Sequence, residues 1–336
     1  MEEDEEICKT PLTNTVVAVC IIAGSSGLMY GYDTTVTGGV MMMKPFLEKF
    51  FPTVLAKMRR EVKQDQYCLF DSHILAAFIS SMFIAGLVSS LLAGRVTSVI
   101  GRRFSLIISG ILFIMGNGFE VFAQNVAILI VGRLFVGFGI GFANQAAPVY
   151  ITEMAPSKWR GALNTAFQFF VCVGAVIASL INLAANYSNN SNGWRLALGC
   201  ASVPAMILTI GALFIPDTPS SLIQRGKNVE ALAALTKLTE PRYRPQLVLT
   251  VAIAGFQQLT GVGMVAFYAP VVLRTIGIGP EGSLFAALVI GVVHLTSVLM
   301  STCMVDNIGR RLLFLQGGVQ IIFAHVCPSS LSTFLN

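Results

Sequence analysis

Charge is what this sequence has least of: only 12% of its 336 residues are Asp, Glu, Lys or Arg, about half the roughly 25% of ordinary soluble domains. That is too little to keep a globule of this size in water. Histidine is equally scarce at 3 residues, and the text holds no HExxH, no paired CxxC and no GxxxxGK[ST] phosphate loop. A metalloenzyme and an ATP-driven pump are excluded on those grounds, so the expectation is a non-enzyme with no cofactor. Cysteine amounts to 7 residues, an odd number, and Cys20, Cys172, Cys200 and Cys303 fall inside apolar runs where a thiol acts as a small hydrophobe. No disulfide framework is implied. The net charge of +5 is spread through short loops, which leaves no basic face for nucleic acid.

What is present is hydrocarbon, 54% of the residues, arranged in runs of about 20 residues that match roughly 30 Å of bilayer core. The reading is an all-α, multi-pass integral membrane protein. Candidate spans run near 15–40, 72–95, 104–124, 126–149, 162–184, 194–215, 246–272 and 283–305, with a weaker ninth near 312–334. The start, Met1 to Glu6, is acidic and the first run from Val16 to Val40 is too long for a secretory signal, so it reads as a retained span. Lys9, Arg95, Arg102, Arg103, Lys158, Arg160, Arg225, Lys227, Lys237, Arg242, Arg244, Arg310 and Arg311 fall on one side if the N-terminus is cytoplasmic, and the positive-inside bias supports that orientation.

Ile100-Gly101-Arg102-Arg103 after the second span recurs as Ile308-Gly309-Arg310-Arg311 after the eighth. Two related six-span halves explain the repeat. The division expected is a cytoplasmic N-terminus (1–14), a six-helix bundle (15–215, with a long outer loop at 41–71), a polar cytoplasmic linker (216–245) and an incomplete second bundle (246–336), eight or nine spans in all.

Asp33 interrupts the first span and Arg133 the fourth, each costing at least about 2.5 kcal/mol if left unpaired at mid-bilayer. Both lie about seven residues from the outer ends of oppositely running helices, so at about 1.5 Å per residue their depths agree and an ion pair is expected. Arg133, Gly137, Gly141 and Asn144 share one face, and Gly24, Gly27 and Gly31 supply a similar small face, so the first and fourth spans are expected to pack together. The functional reading is a proton site in which Arg133 holds Asp33 ionised until protonation releases the pair; the alternative is a static buried ion pair. Glu120 and His294 are further intramembrane ionisable groups, open between an interhelical contact and a functional role.

Asn164, Gln168 and Cys172 line one face of the fifth span, and Gln257 and Gln258 fall near the middle of the seventh. Side-chain amides both donate and accept, which suits the hydroxyls of a neutral polyol at a midplane site; interhelical hydrogen bonding is the alternative. Arg102, Arg103, Glu153, Arg160, Asp306, Arg310 and Arg311 sit at span ends with signs that allow inter-helix salt bridges. They read as an inner gate latch or as solvated topogenic charge, worth about 0–1 kcal/mol per exposed pair.

Together these residues resemble the sugar porter family of the major facilitator superfamily, and within it the plant-type proton-coupled monosaccharide (hexose) transporters. The matching segments are Tyr30-Gly31-Tyr32-Asp33, Gly38-Gly39-Val40, Gly101-Arg102-Arg103, Gly132-Arg133, Pro148-Val149-Tyr150 with Glu153-Met154-Ala155-Pro156, Arg160-Gly161-Ala162-Leu163-Asn164, Pro216-Asp217-Thr218-Pro219, Tyr243-Arg244-Pro245-Gln246-Leu247, Phe256-Gln257-Gln258-Leu259-Thr260-Gly261, Phe267-Tyr268-Ala269-Pro270 and Asp306 with Gly309-Arg310-Arg311. The resemblance implies hexose–proton symport by alternating access at the plasma membrane. It makes Asp33 and Arg133 the proton-coupling pair, Gln168, Gln257 and Gln258 hexose ligands, the charges at span ends a gate, and Cys68 a lid cysteine. Gly263, His294 and Thr34 depart from the family pattern. The short segment from Pro216 to Pro245 and the departure after His325 carry a second expectation, a transport-inactive shortened chain that associates with full-length relatives.

Overall fold

The computed structural model describes residues 14–60, 72–156, 159–187, 191–218, 221, 269–275, 279–309 and 311–320. Eleven α-helices are bounded there: α1 (Asn14–Val40), α2 (Lys44–Phe50), α3 (Pro52–Arg60), α4 (His73–Ile100), α5 (Arg102–Val121), α6 (Val126–Met154), α7 (Arg160–Tyr187), α8 (Gly193–Gly199), α9 (Ser202–Phe214), α10 (Ala269–Thr275) and α11 (Pro280–Ile308). Seven helical stretches among the described residues are long and apolar enough to cross a membrane, namely α1, α4, α5, α6, α7, the α8–α9 pair and α11. The expected span at 246–272 is described only where α10 begins, and the one at 312–334 only as helix over 311–320.

The helices outrun the apolar windows. α4 continues to Ile100 and α6 to Met154, because hydropathy registers the hydrocarbon segment whereas the backbone ladder persists into polar turns. The sixth span is broken at Cys200–Ala201 into α8 and α9. Pro204 explains the break: its ring offers no N–H to the turn before it, and the chain tightens there through Ala201 N–H to Leu198 O (3.0 Å) and Val203 N–H to Cys200 O (3.1 Å).

α6 lies at the centre of the bundle with α4, α5 and α1 against it; α7 packs on α1 and on α11, and α9 on α5 and α1. Apolar side chains on the outer faces remain exposed, among them Leu91, Phe122, Leu213, Phe285 and Val293, as expected where lipid rather than water surrounds the helices.

Backbone contact between helices depends on glycine. A Cβ at Gly27 or Gly31 of α1 would run into the carbonyls of Phe167 and Val171 on α7, while Gly137 and Gly141 of α6 face Met82 and Ser89 on α4. The first and fourth spans do pack together as expected, but not through these two small faces. α1 does touch α6, but each helix spends its glycines on a different neighbour, a choice of rotation that composition leaves open.

The two copies of the Gly-Arg-Arg repeat share one backbone conformation. Gly101 has φ 104° and ψ 163°, and Gly309 has φ 90° and ψ 148°. Among the described residues these are the two positive-φ glycines, and each follows the last turn of a long apolar helix in a conformation side chains resist.

Candidate functional site

Asp33 sits on α1 about two turns from that helix's C-terminal end, and Arg133 on the second turn of α6. Because α1 and α6 run in opposite directions, the two side chains meet: Arg133 Nη1 donates to Asp33 Oδ2 at 2.9 Å, with both side chains 1% exposed. Glu120, in the last turn of α5, joins them, its Oε1 standing 3.1 Å from Arg133 Nε with the side chain fully buried. Gly132 makes room, since a Cβ there would lie 2.6 Å from Glu120 Cγ. The centre is thus a guanidinium between two carboxylates. Of the two intramembrane groups left open by the sequence, Glu120 belongs to this cluster, whereas His294 is half-buried on α11.

The fourth wall is aromatic. Phe78 of α4 lies with its ring centroid 4.8 Å from Arg133 Cζ, a cation–π contact, and Met82 Sδ is 3.8 Å from Nη1. Phe78 also meets Phe46 (6.1 Å) and Phe51 (6.2 Å), which belong to the segment 41–60 that follows α1. That segment, read from sequence as a loop of mixed charge, folds into α2 and α3 and buries Phe46, Leu47, Phe50, Phe51 and Val54. Trp194 of α8 completes the plug at 5.6 Å from Phe46 and 5.4 Å from Phe50. Lys49 Nζ and Arg195 Cζ sit over the Trp194 ring at 5.6 and 4.6 Å, capping the aromatic layer with cations.

Hydroxyls near the cluster are turned to backbone. Thr34 Oγ1 donates to Tyr30 O (2.9 Å) and Thr37 Oγ1 to Asp33 O (2.7 Å) within α1, and the Tyr32 hydroxyl donates to Ala197 O at 2.7 Å.

At the opposite end of the bundle the expected gate residues divide. Arg102 Nη2 pairs with Glu153 Oε1 at 2.9 Å, and the Thr218 hydroxyl donates to the other Glu153 oxygen. Arg103 instead caps α9: its Nε donates to Ala212 O at 3.0 Å and its Nη2 to Leu213 O, where the helix dipole favours a cation. Asp306 of α11 accepts the Ala162 backbone N–H at 2.9 Å and so caps the start of α7; a Cβ at Gly161 would collide with it. Arg160 and Arg311 are exposed, and Arg310 lies outside the described residues.

Gln168 is exposed on α7, one turn from buried Cys172 and one from exposed Asn164. Gln257, Gln258, Gly263 and Cys68 lie outside the described residues.

The family described as Sugar (and other) transporter matches residues 19–242 and 235–335. Sugar transport protein 5 of Arabidopsis thaliana is 45% identical over 95% of this chain and 70% of its own length. Hexose carrier protein HEX6 of Ricinus communis is 42% identical over 95% of this chain and 69% of its own. Among solved structures, the partially occluded inward-open xylose transporter XylE from E. coli superposes with TM-score 0.70 at 24% identity, covering 89% of this chain and 75% of that one. A second XylE structure, of the major facilitator superfamily proton:xylose symporter bound to 6-bromo-6-deoxy-D-glucose, has TM-score 0.71 at 23% identity over 89% of this chain and 70% of its own. The fold is that of the major facilitator superfamily.

Proposed function

The chain belongs to the Sugar (and other) transporter family, and from that premise we propose that it moves a monosaccharide together with a proton by alternating access. It is a transporter, not an enzyme. The observation that carries the proton is the Asp33–Arg133 pair at 2.9 Å, with each side chain 1% exposed. A buried ion pair is a weak stabiliser beside apolar packing, and ionisable groups inside spans mark ion and proton pathways. Protonation of Asp33 removes its attraction to Arg133 and frees α1 from α6, which gives the two facing states different proton affinities, the condition for driving a cycle.

Gln168, Gln257 and Gln258 hold the sugar, their amides matching hydroxyls that both donate and accept. The exposure of Gln168 on α7 supports that role. Arg102 with Glu153, Arg103 capping α9 and Asp306 capping α7 close the end opposite the aromatic plug, with Arg160, Arg310 and Arg311 beside them. The N-terminus is cytoplasmic, the site of action is the plasma membrane, and no cofactor is needed, the proton being the coupling ion. The hexose carrier and proton:xylose symporter named above support this assignment.

The test is uptake of labelled glucose by hexose-transport-deficient yeast, with and without a protonophore, after surface expression is verified. Protonophore-sensitive accumulation by the wild type and its loss in Asp33→Asn are expected. Accumulation retained in Asp33→Asn, or none by surface-expressed wild type, overturns the proposal.

A further inference from the structure

Two carboxylates share one guanidinium at the centre of the bundle, and their contacts differ. Asp33 accepts a hydrogen bond from Arg133 at 2.9 Å. Glu120 stands 3.1 Å from Arg133 Nε, fully buried, yet neither of its oxygens accepts a hydrogen bond. With both carboxyls ionised the cluster would hold a net negative charge away from water, and such a site takes up a proton rather than bear the desolvation.

The surroundings do not supply the missing cation. Among the described residues Arg133 is the one cation acting on either carboxylate. From α1 come the phenols of Tyr30 and Tyr32, the latter donating its hydroxyl proton to Ala197 O at 2.7 Å. From α4 come Phe78 and Met82, both uncharged. Arg195 of α8 is directed to the Val121 carbonyl (3.2 Å) and Lys49 of α2 to the Ala123 carbonyl (3.1 Å), one and three residues past Glu120 along the backbone. The Asn117 amide of α5 points to α9, donating to Ser202 Oγ at 2.7 Å.

We propose that Glu120 is a second carboxyl of the proton site: a resident proton is shared between Asp33 and Glu120, and Arg133 pairs with whichever of the two is ionised. In the arrangement described, Asp33 is the ionised partner and Glu120 carries the proton. When Asp33 takes the proton, Glu120 becomes the carboxylate and holds Arg133 through its existing contact. α1 is then released without stranding a buried guanidinium. The inference rests on the proton reading of Asp33 given above, and extends it from a pair to a three-member cluster whose charge stays balanced in both states.

Infrared difference spectra of the purified protein in lipid nanodiscs read the resident proton directly, whether or not the chain transports. The wild type at neutral pH should display the carbonyl stretch of a protonated carboxylic acid shielded from water. Both Glu120→Gln and Asp33→Asn should lose it, because each leaves one carboxylate fully paired with Arg133; if one variant does not fold, the other carries the test. A band missing from the wild type, or surviving either substitution, overturns the shared proton. Retained sugar accumulation in Asp33→Asn is a separate result that overturns the parent reading instead.

Discussion

Arg133 reaches Asp33 across 2.9 Å while its own Nε lies 3.1 Å from Glu120, so a single guanidinium ties three helices, α1, α5 and α6, at one depth. Removing it leaves two carboxyls without a cation in an apolar interior. Arg133→Leu should therefore cost at least about 3 kcal/mol, the size found when one partner of a buried pair is deleted. Chemical unfolding in mild detergent measures this, and a loss below about 1 kcal/mol would mean that water enters the cluster freely.

The close approach of α1 to α7 gives a second expectation. Gly31→Ala puts a methyl into the Val171 carbonyl and should destabilise by about 1–3 kcal/mol, as overpacking does. Gly118→Ala, in the last turn of α5, is the control: nothing lies within 4 Å of its Cβ, and stability should stay unchanged or rise by up to about 1 kcal/mol. Thermal melts should fall for Gly31→Ala and hold or rise for Gly118→Ala.

The aromatic plug should respond to truncation of Phe78, which touches Arg133 on one side and Phe46 and Phe51 on the other. Phe78→Ala should cost about 3–5 kcal/mol and raise hydrogen–deuterium exchange in α2, α3 and the first half of α4. Exchange confined to α4 would show that the plug does not depend on this ring.

The cap on α7 is the fourth expectation. Asp306→Ala should lose about 0.5–2 kcal/mol, the range for removing a helix N-terminal cap, whereas Asp306→Asn keeps an acceptor for the Ala162 N–H and should lose less. Equal losses in the two variants would assign the effect to charge rather than to the hydrogen bond.

How much of this the sequence disclosed depends on what fixes each feature. Asp33 and Arg133 stand out because charge is conspicuous in an apolar run, and their depth follows from the helical rise alone. Glu120 is visible for the same reason, but its partner is not, since the rotation of α5 about its axis comes from packing against α6. The glycine faces misled for that cause too: Gly31 meets Val171 and Gly137 meets Met82, not each other. In the segment 41–60, Lys44, Glu48 and Lys49 draw attention to charge, and the burial of Phe46, Phe50 and Phe51 appears only once Trp194 and Phe78 close around them. The Arg102–Glu153 pair is consistent with opposite signs at neighbouring span ends, whereas Arg103 finds carbonyls rather than an acid.

The glycine contacts that knit α1 to α7 have a mechanical consequence. Two helices in backbone contact along Gly27, Gly31 and Gly174 cannot slide past each other without collision, so they travel as one body. α11 is hooked to the same body through Asp306 at the first turn of α7. On the proton reading proposed above, protonation of Asp33 would release from α6 not one side chain but the joined helices α1, α7 and α11.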